Sequence, residues 1–156
     1  MNSSTLVAVG LGSNLGLREA HLRFASERLA TLLTDLRVSS TYETAPVDVP
    51  DLQPPFLNAA AIGETALGAR DLLAALLAIE REGGRERRFP RAARTLDLDL
   101  LLFGDDVRHE PSLTVPHPRF RERRFVLEPL AEIAPDLRDP VTSLTIAELL
   151  ARLPSY

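Results

Sequence analysis

Two aspartates, Asp97 and Asp99, stand inside RTLDLDLLLFG, residues 94–104. Their neighbours are those of a buried strand, where a carboxylate is costly unless something holds it. Residues i and i+2 of a strand point to one face. Both aspartates therefore look the same way as Thr95, while Leu96, Leu98, Leu100 and Leu102 look the other way as a core stripe. The carboxylates, roughly 7 Å apart by the strand rise, face a cleft or solvent. Two readings fit. In one, the strand is half exposed and the aspartates lie on its wet face. In the other, they converge on one or two Mg²⁺ ions, which take one or two carboxylates together with waters and phosphate oxygens. The LLLF that follows is too apolar for a solvated edge strand and favours the second.

Arginines surround the pair. GGRERRFPRAAR, residues 83–94, carries five arginines and one acid. VPHPRFRERRF, residues 115–125, adds His117, Arg119, Arg121, Arg123 and Arg124. Such runs often decorate solvated surfaces. Arginine also grips phosphate oxygens bidentately, so two clusters beside a carboxylate pair suit a polyphosphate with bound Mg²⁺. His117, held between two prolines, is either packed or a phosphate donor; no second histidine or cysteine at ligand spacing makes it a zinc ligand.

Composition narrows the chemistry. All 18 basic residues are arginine, so a Walker A lysine and Schiff-base chemistry are both excluded. There is no cysteine, hence no disulfide, thiolate ligand or cysteine nucleophile, in keeping with a cytoplasmic protein. No G-x-S-x-G is present. A net charge of −4 does not suggest nucleic acid. No apolar run spans a bilayer, and the first residues lack the pattern of a signal peptide.

The elements that must position these residues follow from periodicity. Residues 5–10 read as a short buried strand, broken by GLGSNLG, which lacks G-x-G-x-x-G spacing and reads as a turn. A helix capped by Ser13 or Asn14 runs to about residue 33, with Leu22, Ala25, Leu29 and Leu32 at helical spacing. Residues 36–43 alternate as a strand. Residues 44–55 hold four prolines and read as an irregular loop. Residues 56–62 form a strand and residues 71–82 a helix ended by Gly83-Gly84. The aspartate strand follows the Arg-rich loop. This β-α-β-β-α-β order predicts an α+β, ferredoxin-like antiparallel sheet with packed helices and additional C-terminal elements, all in a single domain, 1–156. Near the C-terminus, residues 125–130 form a further segment, and Thr145 with Glu148 fits a capping box for a last helix.

Several motifs together resemble the 6-hydroxymethyl-7,8-dihydropterin pyrophosphokinase family: GSN (12–14), SSTYETAPV (39–47), FLNAA (56–60), RTLDLDLLLFG, LTVPHPRF (113–120) and RRFVLEPLAEIAPDL (123–137). The aspartate motif and the downstream VPH are specific in combination. The resemblance implies transfer of the diphosphoryl group of ATP to the pterin hydroxymethyl group, with AMP released and two Mg²⁺ ions involved. It makes Asp97 and Asp99 the metal ligands and, with Arg85 and Arg94, the catalytic set. It makes Glu80, Arg85, Arg94, Thr114, His117 and Arg123 the ATP contacts. It assigns Thr44, Val47, Phe56, Asn58, Asp97 and Phe125 to the pterin, with Phe56 and Phe125 as two sandwiching rings. ATP and the pterin are then the partners, with no nucleic acid or membrane, and a monomer is expected. The chain departs from the family pattern in four places. Arg91-Ala92-Ala93 stands where many members have Trp-Gly-Pro, Pro118 follows His117 in place of an aromatic, Ala45 replaces a proline, and Phe56 carries no phenol.

Overall fold

A continuous apolar run, buried on both faces, builds β1 (Thr5–Ser13) in the interior of the sheet. A computed structural model describes residues 4–14, 16–44, 55–83 and 96–154. After β1 come α1 (Arg18–Leu32), β2 (Thr34–Val38), β3 (Tyr42–Thr44), β4 (Phe56–Thr65), α2 (Ala69–Glu82) and β5 (Asp97–Phe103). A short hairpin of β6 (Arg108–Glu110) and β7 (Leu113–Val115) precedes a 3-10 turn, Phe120–Glu122, then α3 (Arg124–Ile133) and α4 (Ile146–Ala151). The strand order is β2-β4-β1-β5, β3 also pairs with β4, and every pairing is antiparallel. The architecture is therefore a mixed α+β one, with four α-helices and an antiparallel sheet among the described residues.

Both faces of the sheet are covered. Leu22, Ala25 and Leu29 of α1 and Leu72, Leu76 and Ile79 of α2 pack with Val7, Val9 and Leu11. On the opposite face, Val126, Leu127 and Leu130 of α3 and Ile146 and Leu149 of α4 pack with Ala8, Ala60, Ile62 and Leu102. The small residues on the second face let α3 approach the strands closely.

Four expectations are corrected. First, GLGS does not break the first strand. Backbone pairing with β4 runs from Thr5↔Thr65 to Ser13↔Leu57, and pairing with β5 reaches Gly12↔Asp97, so partners on both sides hold the glycines extended. Second, neither Ser13 nor Asn14 caps α1; Leu17 holds that position with no side-chain hydrogen bond. Third, the single strand expected at 36–43 is two. Ser39 interrupts it by using its hydroxyl as a strand group: the Ala60 N–H donates to Ser39 Oγ at 2.9 Å. Fourth, the leucine stripe of β5 is broken. Ala8 pairs with Leu102 and Val9 with Leu100, which leaves Leu101 as the extra residue of a β-bulge. Leu98, Leu100 and Phe103 then join the first core, and Leu101 and Leu102 the second.

The capping box at Thr145 forms as expected, with the Glu148 N–H donating to Thr145 Oγ1 and the Thr145 N–H to Glu148 Oε1. The β6–β7 hairpin has strands too short to give a periodic signal, and sequence reasoning missed it.

Candidate active site

The site begins with the glycines of β1. Gly12 lies opposite Asp97 on one side and Asn58 on the other, and Tyr42 pairs with Asn58 in turn. Across β3, β4, β1 and β5 this gives a row of Tyr42, Asn58, Gly12 and Asp97. At a strand spacing of about 4.8 Å, the backbones of Asn58 and Asp97 stand about 10 Å apart, with no side chain between them. A methyl group added at Gly12 would lie 3.4 Å from Asn58 Oδ1 and 3.8 Å from Phe56 Cδ1. Gly10 lies opposite Asp99 in the same way. Gly12 thus keeps an open trench beside the carboxylates, closed at Gly10 by the Leu101 side chain, which lies 3.6 Å from where a methyl group there would stand.

Thr44, Phe56 and Asn58 lie together at the end of the trench away from Asp97, on β3 and β4. The Asn58 amide donates from Nδ2 to Thr44 Oγ1 at 2.7 Å. That bond leaves Oδ1 as the amide atom nearest Gly12. Phe125 stands in the first turn of α3, 36% exposed. The Arg123 guanidinium lies over this ring, 5.5 Å from its centre.

On the other side of β5 is a cleft of about 320 Å³ between α2, β5 and β7, lined by Glu80, Asp97, Asp99, Thr114 and His117 among others. Glu80 is 3% exposed, and its Oε2 accepts the Leu98 N–H at 2.7 Å. β5 ends the sheet, so this carboxylate satisfies an outward-facing donor of an edge strand and fixes the strand that carries the aspartates. The apolar LLLF tolerates its edge position because its side chains are buried in the two cores, Leu100 and Phe103 in the first and Leu101 and Leu102 in the second.

That loop turns at a cis Val115–Pro116 peptide, and the His117 N–H donates to the carbonyl of Leu101, the bulge residue, at 2.9 Å. His117 Nδ1 accepts the Arg119 N–H at 3.1 Å, so a neutral ring carries its proton on Nε2. Burial depresses the His117 pKa. Arg123 and Arg119 push it further down, against an opposing pull from Asp97. Near neutral pH the ring is thus an uncharged Nε2–H donor.

The second arginine cluster divides. Arg121 is committed to the fully buried Asp139, donating from both Nε and a terminal nitrogen. Arg124 reaches the carbonyl of Pro154 and pairs with Glu128. Arg119 and Arg123 are the members whose charge acts on His117. The structure therefore gathers Glu80, Asp97, Asp99, Thr114 and His117 at one cleft, with Arg123 beside it, and Thr44, Phe56 and Asn58 along the trench. Val47, Arg85 and Arg94 lie outside the described residues. Sequence reasoning missed the glycines of β1. Their signal was available in Gly10 and Gly12, two glycines on one face of a strand, which mark a close approach to that face.

A model of the 7,8-dihydro-6-hydroxymethylpterin-pyrophosphokinase family matches residues 8–135. The chain belongs to this family. The 2-amino-4-hydroxy-6-hydroxymethyldihydropteridine pyrophosphokinase of Pseudomonas aeruginosa is 44% identical over 95% of this chain and 91% of its own length. That of Bacillus subtilis is 44% identical over 90% and 84%. The folic acid synthesis protein fol1 of Pneumocystis carinii is 39% identical over 94% of this chain, which spans only 20% of that longer protein. A wild-type Plasmodium falciparum HPPK-DHPS solved with pteroate superposes with a TM-score of 0.74 at 14% identity, covering 97% of this chain and 45% of that one. The family and the names of these relatives support pyrophosphoryl transfer from ATP to hydroxymethyldihydropterin in folate biosynthesis.

Proposed function

We propose that this chain binds 6-hydroxymethyl-7,8-dihydropterin in the trench over Gly12 and ATP in the cleft beside β5, and joins them across Asp97 and Asp99. The observation that carries this reading is the row Asn58–Gly12–Asp97: an amide for a heterocycle edge, an open floor and a carboxylate at the far end. Asn58 Oδ1 accepts from the pterin's ring N–H groups, Thr44 holds the amide in that orientation, and Phe56 and Phe125 flank the ring. Val47 belongs to the same pocket by family resemblance.

The pterin hydroxyl oxygen attacks the β-phosphorus of ATP. A bond forms between them, the Pα–O–Pβ bridge breaks, and AMP leaves with the bridging oxygen. Asp97, adjacent to both compartments, accepts the hydroxyl proton in this reading. His117 donates from Nε2 to a phosphate oxygen. Arg123, with Arg85 and Arg94 from the Arg-rich loop, offsets phosphate charge. Thr114 contacts ATP from β7, and Glu80 contributes from the floor of the nucleotide cleft by anchoring β5.

The donor set fits Mg²⁺. Asp97 and Asp99 offer hard oxygen ligands, and among the described residues no group of three or more His, Cys, Asp or Glu side chains gathers for a metal. The remaining ligands would then come from water and phosphate, as is usual for this ion. When bound, two such ions would neutralise phosphate charge and lower the pKa of the attacking hydroxyl.

The strand order supports a ferredoxin-like sheet, with α3, α4 and the β6–β7 hairpin as additions to it. On this reading residues 1–156 act as a single pterin pyrophosphokinase domain. The reading is of a cytoplasmic monomer that needs no nucleic acid or membrane; among the described residues no helix is long and apolar enough to cross one.

The test is product identity. With ATP, Mg²⁺ and the hydroxymethyl dihydropterin, the protein should release AMP in step with pterin consumption. Release of inorganic pyrophosphate instead would mean nucleotidyl transfer, and no AMP above background would refute the reading.

A further inference from the structure

Glu132 lies in the last turn of α3, the end of a helix where a negative charge is disfavoured by the helix dipole. It is exposed, yet it takes three hydrogen bonds. The Ser40 N–H donates at 2.9 Å, the Ser40 hydroxyl at 2.6 Å and the Tyr42 hydroxyl at 2.6 Å. Together these bonds hold the carboxyl below its usual pKa range, the Ser40 hydroxyl contributing most. It falls within the RRFVLEPLAEIAPDL motif and its partners within SSTYETAPV, yet the motifs give it no role, and none of these three donors lies on its own helix.

Its place in the fold gives it a consequence. Seven residues before it, two turns back along the same side of α3, is Phe125. Its partners, Ser40 and Tyr42, lead directly into Thr44, and β3 is in register with β4 at Tyr42↔Asn58 and Thr44↔Phe56. β3 and β4 carry the Thr44 and Asn58 end of the trench, and α3, which carries Phe125, packs on β4 through Val126, Leu127 and Leu130. β3 is only three residues long and pairs with β4 alone, so its ladder holds it weakly. Glu132 is a polar tie between α3 and this strand.

We propose that Glu132 is a positioning residue for the pterin site, locking the helix that carries Phe125 to the strand that carries Thr44. The role rests on the trench being the pterin site. Glu132 touches neither substrate; it fixes the separation of the groups that do. The ATP cleft lies beyond β5; of its proposed contacts Arg123 is the N-cap of α3, at the end of the helix away from Glu132, while Glu80, Thr114 and His117 come from elements this tie does not touch.

The test compares the wild type with Glu132→Ala, Glu132→Gln and Tyr42→Phe. Two readouts are used: steady-state AMP formation with each substrate varied, and equilibrium titration of fluorescent 6-hydroxymethylpterin with a non-transferable ATP analogue present. The chain has no tryptophan to obscure the ligand signal. Glu132→Ala should raise both the KM and the Kd for the pterin by about tenfold, in the range that misplacement of a binding group costs. The KM for ATP should stay within about twofold. Tyr42→Phe, which deletes one donor of three, should give a rise of about threefold. The double variant Glu132→Ala/Tyr42→Phe should match Glu132→Ala alone, because both act through one contact. Should Glu132→Ala not fold, Glu132→Gln keeps the size but turns an amide donor against existing donors, and should weaken pterin binding selectively. An active wild type whose Glu132 variants keep the normal pterin KM and Kd overturns this inference alone, as does an equal rise in the KM for ATP. A wild type that forms no AMP overturns the functional reading and this inference with it.

Discussion

Gly12→Ala separates stability from activity. Gly12 sits in extended backbone between two paired strands, and its φ is not in the left-handed region, so alanine adopts the conformation without strain. The new methyl would meet Asn58 Oδ1 at 3.4 Å, Phe56 Cδ1 at 3.8 Å and the Leu57 carbonyl oxygen at 4.0 Å, all ordinary contact distances. Replacing a compatible glycine restricts the unfolded chain and stabilises by about 0.4–1 kcal/mol. For a chain of this size that raises Tm by roughly 1–4 °C. The same methyl stands on the floor of the trench. Forcing one methyl into a fitted contact costs about 1–3 kcal/mol, a factor of roughly 5–150 in the pterin KM. Differential scanning fluorimetry and AMP formation at saturating ATP read the two effects separately. The expected variant is more stable and poorer at binding pterin. A higher Tm with an unchanged pterin KM would refute the trench as the pterin site. A Tm lowered by several degrees would refute the steric premise.

Two further predictions follow from the carboxylates. Asp97→Asn and Asp99→Asn should each lower kcat by at least about 100-fold, with circular dichroism unchanged because both side chains face the cleft rather than a core; retention of activity by both variants would remove them from the reaction. Asp139 is different. Burial alone would raise its pKa, but the Arg121 guanidinium, the Thr142 hydroxyl and the Val141 N–H hold it at about 2, below its ordinary 3.8. A depressed folded-state pKa adds stability that is present above the unfolded value and lost as pH falls from there through the folded one. Stability should therefore drop by about 1–2 kcal/mol between roughly pH 5 and pH 2, the partly exposed Arg121 reducing the full linkage value. Asp139→Asn should flatten that part of the urea-midpoint profile against pH, and an unchanged profile would show that this pair does not set the acid limb.

What the sequence disclosed follows the range of the interactions. The helical stripes of α1 and α2 are local patterns, and Leu22, Ala25 and Leu29 and Leu72, Leu76 and Ile79 are buried as their spacing implies. The capping box of α4 spans three residues and was equally legible. Element limits set by partners were not. β1 runs to Ser13 because β4 and β5 pair with it there, and nothing within GLGS announces those neighbours. Ser39 ends β2 because its hydroxyl meets Ala60, 21 residues away. The second arginine cluster shows the same limit at the site. Five basic side chains in eight residues read as one unit, yet Arg121 serves Asp139 and Arg124 serves Pro154 and Glu128. Residue type marked the chemistry, whereas residue direction depended on groups far along the chain. Glu132 is the extreme case, with partners 90 and 92 residues distant.

The bulge at Leu101 joins these two levels. In an unbroken strand, Asp97, Asp99, Leu101 and Phe103 would share a face, and Leu102 would lie in the core under α1 and α2. The extra residue instead sends Leu102 to the aspartates' face and Phe103 to the other. One face of β5 thus changes within a few residues from carboxylates at an open site to leucines sealed beneath α3. The carbonyl of Leu101 receives the His117 N–H, so the irregularity also seats the histidine loop against the strand. A bulge that re-aims side chains and frees a backbone group beside a site is a common use of this feature. Here it lets a single seven-residue strand contribute to both cores and still present Asp97 and Asp99 to the cleft. The leucine-rich half of RTLDLDLLLFG fixes where the open face stops: the Leu101 side chain lies over Gly10, 3.6 Å from where a methyl group there would stand, and packs in the core beneath α3, so the open floor ends at Gly12.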